Sequence, residues 1–214
     1  NNLTYSFNDK YFDFNAGLFY RYTNRVINQY YVQDGEFNGY ALTYENGKNA
    51  QRYGAQLTGS YKPFGNSLLV VKAVITPTSE TVRTSKGALI KNDYLGNYFS
   101  LSSEYKSLSV QYQFNIPVYS LNGAFLNTNE NQNNIFVSYK HKNWTFSTGM
   151  YWIGMPSEYK TKSLPESLVD YKVHTQIINN KSMFVLGLSY DFSKGKKTEI
   201  QRKLNNETAP AATF

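Results

Sequence analysis

Met183-Phe184-Val185-Leu186-Gly187-Leu188-Ser189-Tyr190-Asp191-Phe192 decides the fold class of this chain. Read in twos, Phe184, Leu186, Leu188, Tyr190 and Phe192 fall on one side, and Val185, Gly187, Ser189 and Asp191 on the other. Side chains along a β-strand alternate between faces, so the period specifies a strand with one apolar face and one small or polar face.

Working outward, the same grammar recurs along the chain. Leu3, Tyr5 and Phe7 alternate with Thr4 and Ser6, and Asn8-Asp9-Lys10 has the composition of a tight turn. Phe12, Phe14, Ala16, Leu18, Tyr20 and Tyr22 oppose Asp13, Asn15, Gly17, Phe19 and Arg21, with an extension expected through Val32. A connection over 33–49, with a short hairpin near Tyr40–Tyr44, leads to a strand alternating Tyr53, Ala55, Leu57, Gly59 and Tyr61 with Gly54, Gln56, Thr58, Ser60 and Lys62. Further strands are expected at 68–81, 95–105, 108–118, 135–139 and 144–152.

The pattern yields about nine strands, and many exceed the ~5–6 residues usual in soluble sheets. Connections near residues 9, 64, 107 and 142 are short; those over 33–49, 82–93, 119–134 and 155–180 are long. Short turns at one end and long loops at the other are the layout of an outer-membrane barrel. The predicted fold is therefore all-β: an antiparallel transmembrane β-barrel wall over 1–193, with a basic tail over 194–214 on the periplasmic side. Strands of 9–11 residues cross a membrane when tilted. Tyr53, Tyr61, Tyr105, Tyr139, Trp144, Trp152 and Tyr190 are placed to form interfacial aromatic girdles. With an odd count the first and last strands run parallel, so these residues are expected to form part of a larger barrel.

Composition agrees. Aromatic residues make up 17%, with 20 Tyr and 14 Phe, while charged residues are also 17%, below the roughly 25% of soluble domains. Mean hydropathy is −0.53 and no apolar run of ~18 residues exists, which excludes a transmembrane helix. The absence of cysteine removes thiolate chemistry and Cys-based metal sites. His141 and His174 lie far apart, and the scattered acids nominate no acid–base pair, so no catalytic residue, metal or cofactor is expected. The net charge of +7 is not gathered on one strand face, which argues against a nucleic-acid binder.

Three blocks resemble TonB-dependent outer-membrane transporters of Bacteroidota, the SusC-like group. Asn15-Ala16-Gly17-Leu18-Phe19-Tyr20-Arg21-Tyr22-Thr23-Asn24-Arg25-Val26-Ile27 resembles a barrel strand of that family, which reads as small residues, then Phe-Tyr, a basic residue and a later Ile. Thr43-Tyr44-Glu45-Asn46, followed by Ala50-Gln51-Arg52-Tyr53-Gly54-Ala55-Gln56-Leu57, resembles its next block, with Gln56 where the family usually has Glu. The ending Leu188-Ser189-Tyr190-Asp191-Phe192-Ser193-Lys194-Gly195-Lys196-Lys197, with Asn205-Asn206, resembles the end of such barrels in Bacteroidota, a last strand followed by a basic, Asn-containing periplasmic tail, and Gly187-x-x-Tyr190-x-Phe192 within it resembles the assembly signal in the last strand of bacterial outer-membrane barrels. The resemblance implies the C-terminal part of a 22-stranded barrel in the bacterial outer membrane, importing an oligosaccharide, peptide or iron chelate. It implies as partners outer-membrane lipid, the remaining strands and a plug, the TonB system and a SusD-like surface lipoprotein. Arg21, Gln56, Lys62, Gln111, Gln113 and Asn115 are expected to line the lumen. Alternatives are a non-transporting structural or assembly subunit of an outer-membrane complex and a soluble β-sandwich binding module.

Overall fold

The computed structural model describes residues 2–35 and 39–192; the basic segment 194–214 lies outside them. The chain is all-β, with every strand pairing antiparallel to its neighbours. Nine strands build one large sheet: β1 (Asn2–Asn8), β2 (Phe12–Asn24), β5 (Asn49–Tyr61), β6 (Val70–Arg83), β7 (Leu89–Tyr105), β8 (Leu108–Asn115), β11 (Gln132–His141), β12 (Trp144–Tyr151) and β15 (Met183–Tyr190), hydrogen-bonded in that order. Among the described residues the sheet does not close. β1 and β15 are its edges, and eight antiparallel junctions make them parallel to each other.

Each long connection except one holds a hairpin. β3 (Ile27–Asp34) and β4 (Gly39–Asn46) pair between β2 and β5. β9 (Tyr119–Asn122) and β10 (Phe125–Thr128) lie between β8 and β11; β13 (Ser157–Ser163) and β14 (Lys172–Ile177) lie between β12 and β15. These last four form a second sheet, ordered β14-β13-β10-β9.

Several expected boundaries shift, for local reasons. The strand expected to continue through Val32 breaks at Arg25, whose φ of 53° is left-handed, and β3 leaves the large sheet. Pro117 lies just beyond β8, which stops at Asn115 rather than 118; a proline cannot donate to a ladder. The expected connection over 82–93 shrinks to 84–88, because β6 and β7 stay paired up to Arg83 and Leu89. β15 ends at Tyr190, leaving Phe192 two residues beyond it.

Register makes the two faces continuous. Across the sheet at mid-height Ala16 opposes Leu57 and Leu57 opposes Ile75, while Ala73 opposes Phe99 and Phe99 opposes Phe114. Further along, Ile135 opposes Met150 and Met150 opposes Phe184. This apolar face is exposed: Leu186 is 77%, Leu3 70% and Leu18 56% accessible. Neither smaller sheet covers it. Among the described residues the buried apolar side chains are Ala124 and Leu126, both near the β9–β10 hairpin rather than on the large sheet.

At the short-turn end the apolar face finishes in rings. Phe12 and Tyr61 stack at 4.7 Å, Trp144 meets Tyr190 edge-on at 4.7 Å, and Tyr190 meets Phe192 at 4.6 Å. Such pairs contribute about 0.5–1.5 kcal/mol beyond their buried area. Tyr105 and Tyr139 sit at the same end. Trp152, expected in a girdle, is not there: its φ of 49° turns it out of β12, and its indole Nε1 donates to the Asn131 carbonyl at 3.0 Å.

Candidate functional site: a polar face and a four-loop cavity

The opposite face of the large sheet is polar, and it carries the residues expected to line a lumen. Gly17 opposes Gln56 and Arg21 opposes Arg52 across β2 and β5. Lys72 opposes Ser100, which opposes Gln113, and Gln111 pairs across from Ser102, so the β8 glutamines share that face. Lys62, one residue past β5, bonds Asp13 Oδ2 at 2.5 Å near the short turns. Asn115 is taken up locally: its Nδ2 donates to the Glu130 carbonyl at 3.0 Å and its Oδ1 accepts from the Gln132 N–H at 2.5 Å, fixing the entry into β11. In the closing stretch, Gly187 lies on the polar face opposite Ser147, while Tyr190 belongs to the aromatic end.

Arg21 and Arg52, directly opposed, would repel. Glu80 on β6 compensates: Arg52 Nε lies 3.3 Å from Glu80 Oε1, and Arg52 also donates to the Tyr94 hydroxyl at 2.7 Å. The second Glu80 oxygen accepts the Leu121 N–H at 2.8 Å, and Asn92 Nδ2 donates to the Tyr119 carbonyl at 3.0 Å. These bonds start from polar-face residues and end on β9. The hairpin is thus drawn over the polar side of the sheet, and a charged acceptor makes such a bond worth about 1.5–3 kcal/mol. The sequence singled out Arg21 but missed Glu80; an acid on the polar side of a long strand, opposite an arginine, was the available signal.

The hairpins then pack on one another. Tyr31 of β3 meets Phe125 of β10 edge-on at 6.1 Å, and Phe125 meets Tyr171 at 5.4 Å. Between them lies a cavity of about 510 Å³. Its wall comes from all four connections at this end: Asn28 to Tyr31 with Glu45, the β6–β7 tip from Thr84 to Asn92, Ala124 with Leu126, and Leu164 to Leu168. A volume of this size is typical of small-ligand sites. Glu45 is held by hydrogen bonds from Ser85 Oγ and, at 3.5 Å, Asn28 Nδ2.

On β13, the Glu158 carboxylate faces His174 Nε2 at 2.8 Å and Lys160 Nζ at 3.0 Å. His174, which the sequence placed in a surface connection, therefore stands in β14 as a partner of this acid. Hydrogen bonding from His174, then from Lys160, holds the Glu158 carboxyl below its ordinary 4.5. A depressed carboxyl stabilises the fold above its unfolded value and loses that contribution as pH falls through the lowered one. Amide exchange at Tyr159 and Thr161, corrected for intrinsic rates, is expected to accelerate as pH drops below 4.5, and Glu158→Gln should flatten that step. Among the described residues no group of three His, Asp or Glu side chains is placed to hold a metal.

No family model matches this chain, and no curated protein or solved structure matches it either.

Proposed function

We propose that the large sheet is wall from an outer-membrane β-barrel, and that the barrel takes up a nutrient in a TonB-dependent manner. The observation that carries the first part is the exposed apolar face, continuous over nine strands and ended by aromatic rings. On β7 the apolar positions of that face, Leu95, Phe99, Leu101 and Tyr105, mark its height, with Asn97 and Ser103 between them bonded to backbone carbonyls. Ten residue steps of ~3.3 Å tilted by ~40° give about 25 Å, the height of an outer-membrane apolar band. A soluble sandwich would need a second sheet on this face, and the two smaller sheets of the described residues lie at the loop end.

Uptake, rather than a purely structural barrel, is favoured by the cavity. Four separate connections converge on it, and one of them is anchored to the polar face through Glu80 and Asn92. A scaffold has no need for such a cup. On this reading Arg21, Gln56, Lys62, Gln111 and Gln113 line the lumen, and Gly187, Tyr190 and Phe192 serve barrel assembly.

The test is fractionation of cells producing the full-length protein, with a protease site inserted at Gly123 between β9 and β10. The protein should require detergent for extraction and be cleaved from outside intact cells. Extraction without detergent would overturn the barrel reading. Accumulation of substrate that persists after the proton-motive force is collapsed would remove the TonB-dependent part.

A further inference from the structure

We propose that the apolar face carries, on β5, β6 and β7, a selective site for one anionic phospholipid of the loop-side leaflet. The inference rests on the wall reading above. That reading sets lipid against the whole apolar face; the site adds a preference for headgroup charge at one place. Three observations carry it.

The first is where the charges lie. Among the described strands of the large sheet, Arg83, Lys91 and Asp93 are the only Lys, Arg, Asp or Glu residues with the parity of the apolar face, and they stand together. Asp93 opposes Ser79, Lys91 opposes Thr81 and Arg83 opposes Leu89, so they follow one another beyond Leu95 toward the loop end. Steps of ~3.3 Å tilted by ~40° put Asp93 about 5 Å and Lys91 about 10 Å beyond Leu95, at the depth of headgroups rather than hydrocarbon. The second is that cations outnumber the acid. Lys91 Nζ holds the Asp93 carboxylate at 2.7 Å. Arg83 Nη1 reaches only the Gly87 carbonyl, at 3.5 Å, and a Cβ on Gly87 would lie 3.7 Å from Lys48 Nζ, so two more cations converge on the β6–β7 turn. Among the described residues neither Arg83 nor Lys48 has an acidic partner. Three cations against one acid leave this rim positive, and an anionic headgroup supplies the missing charge.

The third lies directly below. Tyr53, Gly54, Ala55, Pro77 and Leu95 border a shallow notch of about 580 Å³, with Asp93 at its upper edge. Pro77 has no N–H to donate, and β5 and β6 are unpaired between Gly54↔Thr78 and Leu57↔Ile75. The small Ala55 stands in that gap, between Tyr53 and Leu57 on the same face. A hydrocarbon chain laid in the notch brings its headgroup to Lys91 and Arg83, whose long stems let the charged ends adjust to it. A zwitterionic headgroup carries its own cation and gains little from this rim, whereas an anionic one gains about fivefold per cation.

The experiment is native mass spectrometry of the full-length protein in neutral detergent, titrated with phosphatidylglycerol, with phosphatidylcholine of the same chains, or with inorganic phosphate. Phosphatidylglycerol should be retained in preference to phosphatidylcholine, and inorganic phosphate at equal concentration should not displace it. Arg83→Gln and Lys91→Gln should each weaken phosphatidylglycerol about fivefold and leave phosphatidylcholine unchanged. Asp93→Asn should strengthen phosphatidylglycerol, because the acid repels the headgroup and occupies Lys91; an ion pair with a purely structural role predicts no gain. Ala55→Leu, which fills the notch, should weaken both lipids. Equal retention of the two lipids, unchanged phosphatidylglycerol affinity in both Arg83→Gln and Lys91→Gln, or displacement by inorganic phosphate would each overturn the proposal. Any of these in a protein that needs detergent for extraction leaves the wall reading standing, whereas extraction without detergent removes both.

Discussion

Leu57→Arg is expected to block assembly into lipid, at a cost of about 2–4 kcal/mol, the penalty for arginine near the midplane of a barrel's outer face. Leu57 lies midway along β5 on the apolar face, between Ala16 of β2 and Ile75 of β6. Its neighbour Gln56 points to the other face, so Gln56→Arg should assemble almost normally. The decisive readout is depth. Arginine at Tyr53 or Tyr61, on the same face but toward its two ends, should cost only about 0–1 kcal/mol because the guanidinium reaches the interface. A protein core would penalise burial at all three positions without regard to height. Folding into lipid vesicles, followed by the shift in urea midpoint, measures all four variants. Equal losses at Leu57, Tyr53 and Tyr61 would show that something other than lipid covers this face.

Gly54→Ala should cost about 1–3 kcal/mol, the range for forcing atoms into a filled space. A Cβ at this position collides with the Pro77 carbonyl oxygen, and comes within 2.8 Å of Phe19 Cζ and 3.1 Å of Thr78 Cα. The obstacles have a common origin. Pro77 sits in a central strand without an N–H to donate, and the β5–β6 pairing passes from Gly54↔Thr78 to Leu57↔Ile75 with the positions between unpaired. The Phe19 ring, directly across on β2, lies over the glycine. Gly59→Ala is the control: its Cβ would meet nothing within 4 Å, so it should be neutral or mildly stabilising. Thermal loss of the folded band on semi-native gels compares the two. Equal behaviour of Gly54→Ala and Gly59→Ala would refute the close approach.

The large sheet was legible because its signal is local. Alternation in segments such as Leu108–Asn115 and Phe184–Tyr190 follows directly from the two-residue repeat of a strand, and the turns at Lys106 and Lys142 announce themselves by composition. The polar-face placement of Arg21, Gln56, Gln111 and Gln113 came from the same parity. Phe19 was visible as an aromatic on the polar side, but its reason, a ring covering Gly54, depends on a residue 35 positions away in a neighbouring strand.

The hairpins at the loop end were largely illegible. β9 and β10 are four residues each, too short for a period to register, and β14 is exposed along its whole length. What fixes them is long-range: the Glu80–Leu121 bond, the Tyr31–Phe125 contact and the Asn131 amide donating to the Pro156 carbonyl at 3.0 Å. The cavity inherits that difficulty, since its wall joins residues from four separated segments.

The parallel relation of β1 and β15 limits what can stand beside this sheet. Copies of the sheet arranged around a rotation axis along the strands would set β15 of one against β1 of the next, and every such seam would be parallel. Rotation about that axis therefore cannot turn this sheet alone into an all-antiparallel cylinder, whatever the number of copies. A seamless cylinder requires an intervening block with an odd number of strands, whose outer two both run against β1 and β15. Copies that share one orientation therefore cannot close this sheet by self-association; the block that would close it differs from it in parity.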